Sequence, residues 1–589
     1  MPAPDMIFNN TGFNGQMLFR QKLLFWITAG VLLFAFLWCP SLTEKELIFA
    51  ESAREMVSSG NWFHRSFNFC VTPTPPFPVF WGSALFIELF GNTEFAVRLS
   101  SALMALGTLY MLGTLGKSLF NEKTAAMACW MFLGSAGFLI SGTAASADMA
   151  ETLVILLAVT WFLKLEQNRT FSFYLVFYLL CLAGALVKGL FHALVPLLIL
   201  LPCIFGSEKK KAHLNLNHGA AFCTGVLIYL LWLGIIYLVP WGNGQSCLTE
   251  GGFAQSVREE WAFWLRSPEM LMQLDWCQWG WELLFLLLPW IFILPAGIAG
   301  FLHGEFSGKE KQLFTGVCCA FFLTILFSGG TPESAVEFLP FAMLFGAAGF
   351  SSKNTGKLKK FLFSAVWYFC MVLASVCCVS IVALPLWGRV TAYVPGLLLL
   401  LAPAAAGAVS WWALFMDHTE NSSFSRLMGL PHRLSSFLFA GTILSGAFFG
   451  VIYPVLLSEC NTGKKFFPEF QRRALESVSA GAPLRIAAFR TPVPAGYLFY
   501  NDIPVAVPRV DDMELLTKKY PGERVILLMK QDQGTHEQFV RECRKYNMTP
   551  GKTLLTEGAP RWRLAPLRRT GFTACSVNLP GTTKKKESR

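Results

Sequence analysis

The residues able to do chemistry gather first between Thr43 and Pro76, where Glu44, Glu46, Glu51 and Glu55 stand among Lys45, Arg54 and Arg65. Asp148 opens the run MAETLVILLAV, and Lys188 closes an apolar run at LVKG. A carboxylate beside a hydroxyl can act as a general base, and a positioned cation can neutralise a phosphate that leaves with charge. Each residue also has a structural alternative. Thr43-x-x-Glu46 fits a capping box, so Glu46 is either a base or a cap partner. Glu44 would sit in a first helical turn, where the dipole favours an acid. Glu44, Glu51 and Glu55 share one face at helical spacing, which describes an acidic site or the wet side of an amphipathic helix. Arg54 can hold phosphate or pair with a glutamate on its own helix. Asp148 can serve as an N-cap, and Lys188 can snorkel to headgroups. His64 and His192 stand as lone histidines without paired ligands, so no metal is assigned to them.

These residues must be positioned by elements built for lipid. Of the 589 residues, 54% are hydrophobic and only 14% charged, with 55 Phe and 19 Trp. Such a chain cannot cover its apolar surface with charge in water, so most of it is expected in a bilayer. The net charge of +11 does not indicate nucleic acid, because the basic residues of the first 435 or so positions sit in short loops between apolar runs. Most of the sixteen cysteines lie inside apolar runs as small hydrophobes, and no zinc spacing is present.

The expected fold class is a polytopic α-helical membrane protein with about 13 spans and a soluble C-terminal α/β domain. Spans are expected near 23–40, 96–116, 124–142, 149–165, 171–187, 190–206, 217–240, 281–302, 313–328, 335–350, 361–385, 391–415 and 435–457. The run 77–91 is too short to cross and is assigned to the interface. This parity gathers Lys117, Lys123, Lys164, Arg169, Lys209–Lys211, Lys309, Lys311, Lys353, Lys357, Lys359, Lys360, Arg426 and Arg433 into inner loops. The N-terminus is therefore expected in the cytoplasm. The acidic stretch, Asp148, Lys188, the loop 241–280 and everything after Ser458 then share the outer side. Ionisable groups converging at one membrane face are functional candidates. Trp261, Trp264, Trp276, Trp279 and Trp281 are read as an interfacial belt.

Two domains follow, 1–458 with an outer loop at 41–95, and 459–589. In the second, helices at 467–479 and 535–546 alternate with strand-like LRIAAF (484–489), GYLFY (496–500), VAVPRV (505–510) and RVILLM (524–529), before a disordered basic tail.

The ordered series ESAREMVSSGNWF, SFN, PPFPVFW and ELFGNTEFAVRLSSAL resembles the start of GT-C membrane glycosyltransferases, in particular the bacterial lipid A aminoarabinose transferases and the protein-mannosyltransferase-related group. SADMAETL, LVKG, LLPW, EFLPFAMLFG and GYLFYND continue the likeness over nearly the whole chain. The resemblance implies a sugar donor on a polyprenyl phosphate, a lipid, glycan or protein acceptor, and inverting displacement at the anomeric carbon in a bacterial inner membrane, with the C-terminal domain periplasmic. Carried over by position, it makes Glu46 and Asp148 candidate catalytic carboxylates, with Glu44 a third that a one-residue shift would bring to the place of the family's Asp, Lys188 and Arg54 the donor-phosphate ligands, and Glu51 a support for the acceptor or the structure. This sequence departs from the family pattern at Lys45, where an Asp is usual, and at Pro73-Thr74, where Glu-Lys is usual. The family's metal-binding His in the loop before LLPW has no counterpart, since 241–280 contains no His. A divalent metal remains open, with no ligand set identified. The departures define the alternative function, a catalytically impaired relative that binds lipid carriers or partners. A transporter is disfavoured, as neither an internal repeat nor paired broken spans can be read in the sequence.

Overall fold

The computed structural model describes residues 11–238, 276–376, 432–453, 463–556 and 572–578, apart from short breaks. The chain is mostly helical. It opens with α1 (Thr11–Phe34), followed by α2 (Glu44–Ser59), the hairpin β1 (Ser66–Phe67) and β2 (Cys70–Val71), and α3 (Trp81–Phe90). Next come α4 (Glu94–Leu119), α5 (Glu122–Leu133), α6 (Ala136–Thr143), α7 (Asp148–Leu165), α8 (Phe171–Lys188) and α9 (Leu190–Phe205). Helices Leu216–Leu238, Trp276–Leu286, Leu294–Leu302, Gly308–Phe327, Leu339–Ser351, Ser364–Val376 and His432–Ala447 follow in the apolar part.

Among the described residues, two helices, α4 and α8, are each long and apolar enough to cross a bilayer, and two bent pairs raise the number to four. Further apolar helices are shorter. The expected span 124–142 is in fact α5 and α6, bent by 62° at Gly134-Ser135, where the Ser135 side chain accepts the Phe138 N–H and starts a new helix. The expected span 281–302 bends by 93° between Leu286 and Trp290, at Pro289, which cannot donate to a helical ladder. Two bent helix pairs thus stand where two straight spans were expected. The expected span 391–415 lies outside the described residues.

Close packing holds the bundle. A Cβ on Gly316 would meet the Ile199 carbonyl oxygen at 1.9 Å, and one on Gly349 would meet that of Ala296 at 2.0 Å. Small residues let helix backbones approach where lipid supplies no hydrophobic drive. Trp290, Tyr174, Phe132 and Phe138 fill the core between them.

The C-terminal residues form a mixed five-stranded sheet in the order β4-β3-β5-β7-β6. Its strands are β3 (Arg485–Phe489), β4 (Arg509–Val510), β5 (Arg524–Lys530), β6 (Thr549–Thr556) and β7 (Phe572–Asn578). Strand β3 runs parallel to β4 and β5, and β7 runs antiparallel to β5 and β6. Helices Gly463–Glu476 and Gln533–Lys545 lie near the expected positions. GYLFY, expected as a strand, is a short helix, Ala495–Tyr500, with residues 495–499 all buried. A short apolar run buried on every side carries no period to separate helix from strand. Of VAVPRV, only Arg509–Val510 pairs into the sheet.

Candidate functional site

Helix α2 starts where the capping box places it: Thr43 Oγ1 accepts the Glu46 N–H, and Glu46 Oε2 accepts the Thr43 N–H at 2.9 Å. It ends at Gly60, whose φ of 68° suits glycine. Glu46 is buried, and its oxygens take Arg98 Nε at 2.7 Å and Nη2 at 3.1 Å. It also accepts the Ala145 N–H at 3.1 Å. Burial pushes the Glu46 carboxyl upward, but the Arg98 guanidinium and the two backbone N–H groups outweigh it and hold the carboxyl below its ordinary range. Glu46 thus clamps α2 to α4 and to the segment before α7. A carboxylate so saturated has no lone pair directed at an incoming hydroxyl, which corrects its reading as a base.

Arg54, a candidate phosphate ligand, is spent in the same way. It forks onto Glu51 at 2.8 and 2.7 Å, reaches Asp502 at 2.8 Å, and donates to the Ile503 carbonyl at 2.8 Å. These contacts dock the C-terminal residues on α2. Asn68 adds two bonds to the Val507 backbone at 2.8 Å each, and Asn92 donates to the Phe499 carbonyl at 2.9 Å. Glu51 is the buried support of Arg54, with its carboxyl raised because burial outweighs that guanidinium. Burial and the neighbouring Glu51 charge push Glu55 up to about 8, and burial brings Arg65 down to about 10. Glu51 and Glu55 are buried while Glu44 is exposed, so the three do not form one wet face. Pro73 and Thr74 lie outside the described residues.

The structure brings Asp148 and Lys188 together. Lys188 Nζ lies 2.7 Å from Asp148 Oδ1 and 2.7 Å from Glu151 Oε2. Asp148 Oδ2 also accepts the Ser146 hydroxyl at 3.0 Å. The Asp148 and Lys188 side chains remain 12% and 15% exposed, enough to be reached from one end of the bundle. That end is also the α2 end. Glu46 holds Ala145, and three residues of extended chain span at most about 11 Å from there to Asp148.

Behind the pair lies a group that sequence reasoning missed. His192 is not alone: its Nδ1 contacts Glu151 and lies 3.5 Å from Glu337 Oε2. All three residues are buried. Each is a lone ionisable residue in an apolar stretch, in MAETLVILL, LFHALVPLL and AVEFLPFAM, and that expense was the available signal. Residues that could hold a metal are therefore Glu151, His192 and Glu337. The metal-binding His that the resemblance implies has no counterpart, since 241–280 offers no imidazole.

This geometry can be set beside proteins that the chain resembles. The family described as dolichyl-phosphate-mannose-protein mannosyltransferase matches residues 74–236. An undecaprenyl phosphate-alpha-4-amino-4-deoxy-L-arabinose arabinosyl transferase of Shewanella sediminis is 28% identical over 275 residues, 44% of this chain and 46% of that protein. Its namesake in Edwardsiella ictaluri is 27% identical over 369 residues, 58% of this chain and 62% of that protein. The chain thus spans about half to three fifths of the length of these curated relatives. The crystal structure of ArnT from Cupriavidus metallidurans bound to undecaprenyl phosphate superposes with a TM-score of 0.65 at 15% identity, over 94% of this chain and 97% of that one. The apo form gives 0.59 over 96% and 98%. The fold is that of a polytopic helical membrane protein. Within that fold, the chain is similar over part of its length to the mannosyltransferase family model and to the curated arabinosyl transferases.

Proposed function

We propose that the protein is an integral membrane glycosyltransferase that moves a sugar from a polyprenyl-phosphate carrier to an envelope glycolipid, glycan or protein. The observation that carries this reading is the reachable Lys188–Asp148 pair at the α2 end of the bundle. The family resemblance expects its phosphate ligand and a carboxylate at these two positions. The arabinosyl transferase names of the relatives support the reaction class.

The chemistry works by exchange of partners. An arriving donor phosphate takes the Lys188 ammonium from Asp148. The released carboxylate then accepts the acceptor's hydroxyl proton. The acceptor oxygen bonds to the anomeric carbon as the carbon–oxygen bond to phosphate breaks, with inversion, and the lipid phosphate leaves against Lys188. Glu46, Glu51 and Arg54 keep α2 and the C-terminal residues in place. Glu44, exposed in the first turn of α2, is assigned to contact with the acceptor or headgroups. A divalent metal is assigned no step here.

The working side is the outer one of a bacterial inner membrane, with the N-terminus cytoplasmic, about 13 spans, and residues 459–589 as a soluble periplasmic domain. Positive residues in the opposite loops support this orientation. The test is turnover of a polyprenyl-phosphate sugar by membranes holding the full chain. Lys188→Ala is expected to reduce it on the order of 10²–10³-fold, and Asp148→Asn on the order of 10²–10⁴-fold. Full activity in both variants overturns the assignment. A second reading, a carrier-binding relative without transfer, is favoured by Lys45, Pro73 and Thr74 at family positions and by the closure of Arg54 on Asp502. It predicts donor-lipid binding with no transfer to any acceptor panel.

A further inference from the structure

Three buried side chains converge where the proposed transfer chemistry does not use them. Glu151 on α7, His192 on α9 and Glu337 just before Leu339–Ser351 are 0%, 1% and 1% exposed. Glu151 Oε1 and Glu337 Oε2 both face the single ring nitrogen Nδ1 of His192. That nitrogen carries at most one proton, which can serve only one of two carboxylates well. Glu337 is left with the longer contact, 3.5 Å from Oε2 to that nitrogen, and its carboxylate is buried. A buried carboxylate left in that state costs several kcal/mol.

The charges point the same way. Asp148, Glu151 and Glu337 bring three negative charges, and Lys188 brings one positive charge. With a neutral imidazole, this group as described is two charges short of balance, and a dication supplies both. We propose that Glu151 Oε1, His192 Nδ1 and Glu337 Oε2 bind one divalent transition-metal ion, with Zn²⁺ the best match to one imidazole and two carboxylates. The three donor atoms already lie within 4.8 Å of one another. An ion about 2.0–2.2 Å from each would draw them to about 3.3 Å apart, a side-chain adjustment rather than a backbone one. Glu151 would then bridge, with Oε1 on the ion and Oε2 still on Lys188. A carboxylate held at both ends fixes the ammonium beside it. The ion would also neutralise a charge that otherwise competes with phosphate for Lys188. Metal binding itself requires no transfer activity.

The test uses the full chain purified in detergent, stripped with EDTA and titrated with ZnCl₂. Calorimetry and elemental analysis read the bound zinc, and thermal unfolding reads its effect. The expected result is about one tightly held zinc per chain, an upward shift of Tm with zinc, and at least about a tenfold loss of affinity in His192→Ala and in the nearly isosteric Glu337→Gln. His64→Ala, which leaves the cluster intact, retains the wild-type zinc. The proposal is overturned if folded wild-type protein holds no zinc after dialysis, which would leave protons to balance the carboxylates. It is equally overturned if the His192 and Glu337 variants bind zinc as the wild type does. The wild-type measurement decides even where a variant fails to fold.

Discussion

Glu46 shows how one residue type can carry two readings until its partner is known. Thr43-x-x-Glu46 was legible as a cap because both ends lie within one turn. Arg98, which claims the same carboxylate, is 52 residues away, and no local spacing announces it. Glu46→Ala should therefore strand a buried guanidinium and cost about 3–5 kcal/mol, while Thr43→Ala, which removes one cap bond, should cost about 1 kcal/mol. Denaturant unfolding of the purified protein compares the two, and equal effects would show that the Arg98 clamp contributes little. Glu55 supports a second prediction at this scale. Burial and Glu51 raise its folded carboxyl from 4.5 to about 8, against hydrogen bonds from Ser66 and the Phe69 N–H, and Arg65 is the cation facing it. A raised acid contributes stability that is fully present below the unfolded value and is lost as pH rises toward the folded one. The packing of α2 should thus weaken between pH 4.5 and about 8, and Glu55→Gln should flatten that slope in hydrogen exchange of α2 amides.

Elements differ in how far sequence exposes them. Helices α7, α8 and α9 lie within a residue or two of their expected limits because long apolar runs admit one interpretation. The bends at Ser135 and Pro289 were missed although both breakers stand in the sequence, because a composition window averages over them. GYLFY failed for the opposite reason, being too short to show a period. The docking of the C-terminal residues onto α2 was illegible, since Arg54 and Asp502 are 448 residues apart. That contact is lopsided. Asp502 is 77% exposed and Arg54 only 4%, so Asp502→Asn should cost no more than about 1 kcal/mol. Arg54→Ala instead abandons the buried Glu51 and should cost about 3–5 kcal/mol. Limited proteolysis near residues 495–510 should accelerate in Arg54→Ala and stay near wild type in Asp502→Asn. Similar cleavage in both would shift the anchoring to the Asn68 and Asn92 bonds.

For the whole molecule, the hydrogen bonds fix which groups share an end before any membrane is drawn. Glu46 ties α2 to Arg98 near the start of α4 and to Ala145 just before Asp148, and Lys188 ends α8 against that same Asp148. The Asp502 contact brings the C-terminal residues to the same end. Helix α4 has 26 residues and so runs about 39 Å, more than the roughly 30 Å hydrocarbon core. It carries the chain to Lys117, which pairs with Glu122 at the far end. If α4 crosses the bilayer, α2, Lys188 and Asp502 must lie opposite Lys117 and Lys123. Charge bias names the first group as external. In a cysteine-free background, a membrane-impermeant thiol reagent should label Glu44→Cys and Asp502→Cys in intact spheroplasts, and Lys123→Cys only after permeabilisation. Labelling of Lys123→Cys alone in intact cells would invert the orientation but keep the shared site. Labelling of Glu44→Cys and Lys123→Cys from one side would remove the crossing of α4, and with it the separation of the reactive face from the basic loops.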